Sequence, residues 1–190
     1  DRSPSRGLGD VYKRQILSTT HKNFPGPQRA IYCTKKDDDM WEKLYSKIGT
    51  YVSNMHTYSI YTLGLMLENI EEYKKLSYNM LANTKLLRKE LRNHGLSVYE
   101  QQPISVNELI THHIWITCKD KIHAFELYKK LEYCGFLTNY RLLPYNLGYG
   151  IRMGLSAATV SGLILDDISE LANLLAQIYF NTVSYTHLPA

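Results

Sequence analysis

Cysteine and proline are scarce in this 190-residue chain, at three and six residues. Cys33, Cys118 and Cys134 are odd in number and widely spaced, with no Cys-x-x-Cys and no adjoining histidine pair. That spacing argues against a disulfide framework and gives no zinc signature, so no metal is expected and a reducing, cytoplasmic compartment is. No apolar run approaches the roughly 20 residues of a bilayer span. The basic N-terminus lacks the apolar centre of a signal peptide, and no internal repeat or low-complexity tract occurs. A strong excess of one charge is also missing, since the formal net charge is only +4. Residues 1–15 (DRSPSRGLGDVYKRQ) and 183–190 (VSYTHLPA) resemble translated sequencing-adapter sequence, so both are set aside as non-native, as tags would be. If so, the natural N-terminus lies upstream, and the lack of a targeting signal says little about the parent protein. The first of these segments carries a net +2 and the second no charged side chain. Neither a nucleic-acid nor an acidic-membrane partner is expected of what remains.

What is present is enough apolar material, 44% of residues, for one or two small units with a core. Ala30–Thr34 is a short β-prone run after a Gly-Pro turn, and the charged run Lys35–Asp39 reads as a solvated loop. From Ser59 onward Leu63, Met66, Leu67, Ile70, Tyr73, Met80, Leu81 and Leu91 recur at spacings near three and four. That pattern predicts one long amphipathic helix or two in succession, stopped at His94-Gly95. Short strands are predicted at Leu96–Tyr99, His113–Thr117, Leu137–Tyr140 and Ile151–Leu155. Asp120 caps a helix over Lys121–Tyr133 that Gly135 ends. A last helix, from about Leu165 to Phe180, is predicted to bury Ile168, Leu171, Leu174, Leu175 and Ile178 on one face.

The chemistry is concentrated in Ser18-Thr19-Thr20-His21-Lys22-Asn23-Phe24-Pro25-Gly26-Pro27. A lysine here follows a Ser/Thr-rich strand end and precedes a stiff turn. Lysine attacks a carbonyl only as the neutral amine, so it needs burial or a neighbouring cation to serve as a nucleophile at neutral pH. On these residues alone, a surface lysine in a turn is the simpler reading. His112, His113 and His123 form no metal-ligand constellation and read as structural or solvent-facing. His56 reads as a helix-terminal packing residue. None of the sixteen tyrosines is singled out by spacing.

Two segments together go further. Thr19-Thr20-His21-Lys22-x-x-x-Gly26-Pro27, and far downstream Gly150-Ile151-Arg152-Met153-Gly154 followed by Thr159 and Gly162, resemble the corresponding elements of serine hydroxymethyltransferases. Those enzymes are members of the aspartate-aminotransferase-like, fold type I superfamily. Asn139-x-x-x-x-Pro144 and the His-led strand His113-Ile114-Trp115-Ile116 fall between them where that family has similar residues. The resemblance covers nearly all of Ile16–Thr182, about the C-terminal two-fifths of such an enzyme. It implies an α/β architecture: 16–60 as the end of the large pyridoxal-phosphate-binding domain, 61–95 as the connecting helix and 96–182 as the small C-terminal α/β domain. It also implies that Lys22 carries pyridoxal 5'-phosphate covalently, that His21 and Thr19 orient the cofactor, and that Arg152 clamps the substrate α-carboxylate with two parallel hydrogen bonds, which lysine cannot reproduce. A small amino-acid substrate and a homodimer are the expected partners.

The departures from that pattern are specific. Tyr51-Val52-Ser53 stands where the family has Gly-Gly-Pro, although glycine is what permits close backbone approach to phosphate. Gln28 precedes Arg29 where the family has an arginine and then Gly-Gly. Arg141 replaces the second Asn of Asn-x-Asn, and Leu155-Ser156 replaces Thr-Pro. The leading expectation is an enzyme acting on the Cα–Cβ bond of glycine, serine or a related β-hydroxy amino acid. Tetrahydrofolate as one-carbon acceptor follows only for a true family member, and a folate-independent aldolase or transaldolase fits the departures equally. The alternatives are an aminotransferase or β-lyase of the same superfamily, and a non-catalytic fragment. The last draws on the expected upstream position of the aspartate, ring-stacking residue and phosphate cup of such enzymes, which leaves this chain inactive alone.

Overall fold

The computed structural model of the protein describes residues 15–34, 39–52, 54–100 and 111–180. The adapter-like stretches 1–14 and 183–190, the loop expected over residues 35–38, and Ser53 lie outside the described residues. The chain divides into two units, Asp1–Tyr73 and Lys74–Ala190.

In the first unit β1 (Gln15–His21) and β2 (Pro25–Thr34) form a two-stranded antiparallel hairpin. Then come α1 (Asp39–Tyr51), α2 (Thr57–Glu68) and the start of α3 (Ile70–Asn93). The solvated loop expected over Lys35–Asp39 therefore gives way to helix at Asp39, and α1 itself was not foreseen. Trp41 on α1 stacks on Tyr32 of β2, their rings 6.4 Å apart and 6° from parallel. The long amphipathic pattern resolves into two helices broken at Asn69, whose side-chain amide donates to the Leu65 carbonyl oxygen at 3.0 Å. α2 lies against β2, yet none of its residues is buried. Among the described residues of this unit Thr20 alone is buried, and Tyr51, Met55, Tyr58 and Tyr61 are well exposed.

The second unit has a true core. The remainder of α3 supplies Leu87 and Leu91, β3 (His113–Thr117) supplies Ile114 and Ile116, and β5 (Tyr149–Gly154) supplies Ile151. Leu127 and Leu131 come from α4 (Lys121–Tyr133), and Ile168, Ala172 and Leu175 from α6 (Ile168–Phe180). The sheet is three-stranded and antiparallel in the order β3-β5-β4, with β4 spanning Asn139–Leu142. Asp120 caps α4 by accepting from the His123 N–H at 2.8 Å, and Gly135 leaves it at φ +85°. Leu96–Tyr99, expected as a strand, makes only a single bridge, Val98 to Ile116. In α6, Leu174 is exposed while Ala172 and Ala176 are buried, because the inward stripe runs through Ile168, Ala172, Leu175 and Ala176 and position 174 lies off it. A short helix α5 (Ser156–Val160) links β5 to the Leu165–Asp167 turn that precedes α6.

Gly150 lets β5 sit this close to its neighbours. A Cβ built there would collide with the Ile116 carbonyl oxygen and lie 2.7 Å from Leu143 Cδ1. Since the obstruction includes backbone of the paired strand, Gly150→Ala should destabilise the second unit by about 1–3 kcal/mol, read as a lowered urea midpoint with an unchanged slope.

Candidate functional site

Lys22 stands in the bend between β1 and β2 with its side chain exposed. The bend is built around Thr20. Pairing runs Thr19 to Ala30 and then His21 to Pro25, so one residue of β1 faces four of β2 and the partner strand bulges outward. The Thr20 hydroxyl fills the bulge, with the carbonyl oxygens of Pro27 and Arg29 at 2.5 and 3.0 Å. One hydroxyl proton serves one of them at a time. Gly26 closes the turn, because any Cβ there would come within 2.7 Å of the Thr20 carbonyl oxygen. Phe24 packs on Tyr73 at 6.3 Å between ring centres. Thr19 and His21, expected to flank a cofactor, are both exposed. They share the face of β1 opposite Thr20 by the two-residue strand period. His56 is exposed ahead of α2 with φ +48°, and its N–H donates to Asn54 Oδ1 at 2.9 Å. Glycine is the residue that favours such a backbone.

Arg152 belongs to the second unit, on β5. Alternation turns Ile151 into the core and sets Arg152 on the other face, directly across from Trp115 on β3 and Asn139 on β4. The Arg152 guanidinium donates through Nη2 to Asn139 Oδ1 at 2.8 Å, which orients the group. Burial, then the Arg141 charge, holds its pKa below the usual arginine value. Trp115 shares this face and stacks on Tyr99 at 5.4 Å, and its buried Nε1–H has no partner among the described residues. His113 lies two residues from Trp115 on the same face of β3, and His112 touches it at 4.0 Å between ring centres.

Arg88 fixes this edge from below. It is buried in α3 and donates through Nε to the His113 carbonyl oxygen at 3.1 Å and through Nη2 to that of Thr111 at 3.0 Å, with Nη2 also contacting the His113 oxygen. Nearby, buried Asn83 donates to Thr159 Oγ1 at 3.2 Å and to the Leu163 carbonyl oxygen at 3.0 Å. The Thr159-x-x-Gly162 element therefore has a structural part to play: Thr159 ties α5 to α3, and Gly162 turns the chain at φ +106°.

Of the residues expected to form a site, the structure gives Lys22, His21 and Thr19 to one unit and Arg152 to the other. Composition and motif spacing missed Thr20 and Arg88 as supporting residues, and Asn139 and Trp115 entered only as positions of resemblance, without a role. Period-two alternation along β3 and β5 was the available signal for Trp115, which must face away from Ile114 and Ile116. Arg88 had no signal, because its partners are backbone carbonyls far along the chain. His112 and His113, read as structural or solvent-facing, are half-buried close to the Arg152 and Arg88 charges. Among the described residues no group of three or more His, Cys, Asp or Glu could hold a metal ion, and no helix is long and apolar enough to cross a membrane.

Burial and then the neighbouring His112, Arg152, Arg88 and Arg141 push the His113 pKa down to about 4, and burial lowers that of His112 in the same direction. A histidine depressed in the folded state adds nothing to the pH dependence of stability above about pH 6.5, where it is neutral folded or unfolded. Below that the unfolded chain binds the proton first, so stability falls until about pH 4 and then levels. Urea midpoints measured from pH 7 to 4 should show this decline, and His113→Asn should flatten part of it.

No family model matches the chain. It is 27% identical over 170 residues to the serine hydroxymethyltransferase of Thermoplasma acidophilum, a match covering 85% of this chain and 39% of that protein. To the serine hydroxymethyltransferase of Methanopyrus kandleri it is 28% identical over 173 residues, covering 86% and 39%. A solved structure of L-threonine transaldolase from Pseudomonas fluorescens, in the internal aldimine state, superposes with a TM-score of 0.77 at 23% identity, covering 88% of this chain and 38% of that one. The chain thus spans about two-fifths of the length of the relatives it matches. It is similar in sequence to the C-terminal portion of serine hydroxymethyltransferases and has the fold of the corresponding part of a fold type I, pyridoxal-phosphate-dependent enzyme.

Proposed function

We propose that the complete protein is a pyridoxal-phosphate-dependent enzyme acting on the Cα–Cβ bond of glycine, serine or a related β-hydroxy amino acid. The observation that carries this reading is Arg152: a guanidinium held by Asn139 on the sheet face opposite Ile151, directly across from Trp115, in a chain whose relatives are serine hydroxymethyltransferases. The planar fork of arginine binds a carboxylate in two parallel hydrogen bonds. On the hairpin, Lys22 sits on a turn pinned by Thr20 and Gly26, at the position that the resemblance gives to the cofactor-bearing lysine. Thr19 and His21, polar and exposed on one face of β1, suit contacts to its ring substituents.

When bound, pyridoxal phosphate supplies an electron sink for negative charge developing at the substrate Cα. Lys22 would hold the cofactor, and as a free amine it could move a proton at the substrate Cα. Arg152 fixes the substrate carboxylate and with it the orientation of the bonds at Cα. His113, neutral at pH 7, adds a polar edge without another positive charge. A homodimer in the cytoplasm completes the reading. The well-exposed Tyr51, Tyr58 and Tyr61 on α1 and α2 are the kind of apolar surface that a partner subunit covers.

Transaldol or folate-independent aldol chemistry is the second reading. Arg141 stands where the resemblance leads one to expect the second Asn of Asn-x-Asn, and the solved structure reported above is that of a threonine transaldolase.

The test is the absorbance spectrum of the full-length protein with pyridoxal phosphate. A visible band that Lys22→Ala abolishes, with borohydride fixing the label on Lys22, is the expected outcome; no Lys22-dependent band would sink the assignment. Arg152→Lys should keep the band but raise KM for the amino acid by about tenfold or more, since it removes the bidentate geometry.

A further inference from the structure

We propose that the Arg152 face binds an amino acid carrying a second anionic group, with Arg141 as the residue that selects it. The inference rests on the reading of Arg152 as the carboxylate site and extends it to the class of substrate.

Register sets the two arginines together. On β4, Asn139 pairs with Arg152 and Arg141 pairs with Gly150, so Arg141 is the diagonal neighbour of Arg152 on the same face of the sheet. Such neighbours lie about 7–8 Å apart along the sheet, within the reach of two long guanidinium side chains toward one bifunctional ligand. Among the described residues neither arginine has a carboxylate partner: Arg152 is held by the neutral Asn139, and the Arg141 Nε lies 3.4 Å from the Leu142 carbonyl oxygen. Like charges set side by side on a sheet disfavour the fold. The Arg152 charge is disfavoured by burial and then by Arg141. An arrangement that disfavours the empty state is relieved by a ligand of opposite charge. One carboxylate engages Arg152, and a second anionic group is needed to engage Arg141.

The chain has two tryptophans, so the Trp115 indole N–H is one of two indole resonances in a nitrogen-correlated NMR spectrum of the full chain, assigned by its loss in Trp115→Phe. Succinate and butyrate, equal in carbon number and differing by one carboxylate, are the probes, titrated at constant ionic strength near pH 7.5. Succinate should shift the Trp115 resonance at a concentration at least tenfold below butyrate. Arg141→Gln should remove that preference while leaving butyrate within twofold, and Arg152→Gln should abolish the response to both. Equal affinity for the two probes, or a preference that survives Arg141→Gln, overturns the second-anion proposal and leaves the Arg152 site standing. No response to either probe overturns both, whereas the Lys22-dependent absorbance band tests the cofactor reading separately.

Discussion

The two-residue period of β5 couples the core of the second unit to its candidate site. Gly150, Arg152 and Gly154 alternate with Ile151 and Met153, so burying Ile151 against α4 and α3 forces Arg152 onto the opposite face. A slip of one residue would bury the guanidinium and expose the isoleucine, at a cost no surface contact could offset. Because Gly150 lies hard against the Ile116 carbonyl, the register of β5 on β3 is also fixed sterically. Packing energy and site geometry are here set by the same backbone pairing.

Around that pairing, polar side chains perform structural work. Arg88 and Asn83 are buried on α3 and donate to segments distant in sequence, Arg88 to the Thr111 and His113 carbonyl oxygens and Asn83 to the Thr159 hydroxyl and the Leu163 carbonyl oxygen. Each joins the helix to a loop that borders the sheet. Removing one would strand buried acceptors, which is costlier than the net worth of the bond itself. The candidate site is thus held from behind by α3, with the aromatic stack of Tyr99 and Trp115 at one side and Asn139 at the other.

Much of this was legible in the sequence. The α4 cap at Asp120, the turn at Gly135, the break at Gly95 and the strands around Ile114 and Ile151 follow from local signals whose physics is short-range. The motif resemblance pointed to serine hydroxymethyltransferases, and the relatives found by comparison carry that name. Legibility failed where tertiary context decides. Asp39 reads as the end of a charged loop but opens a helix whose Trp41 finds Tyr32. Val98 looks like a strand residue, yet only one bridge forms. Leu174 is apolar and still faces outward, because alanines at 172 and 176 bring the helix close to its neighbours. Thr20 stands in the lysine motif with no role assigned to it. The four-against-one bulge that buries it depends on Gly26 and on strand partners that spacing alone does not reveal.

The dependence of the first unit on Thr20 has a thermodynamic consequence. Its one buried side chain among the described residues is a hydroxyl-bearing residue, while the second unit buries a cluster of leucines and isoleucines. The heat-capacity change of unfolding follows the apolar area newly exposed to water, and polar exposure acts against it. Unfolding of the isolated chain should therefore draw nearly all of its heat-capacity increment from the second unit. The curvature of stability with temperature then reports on the sheet that carries Arg152 and hardly at all on the hairpin that carries Lys22.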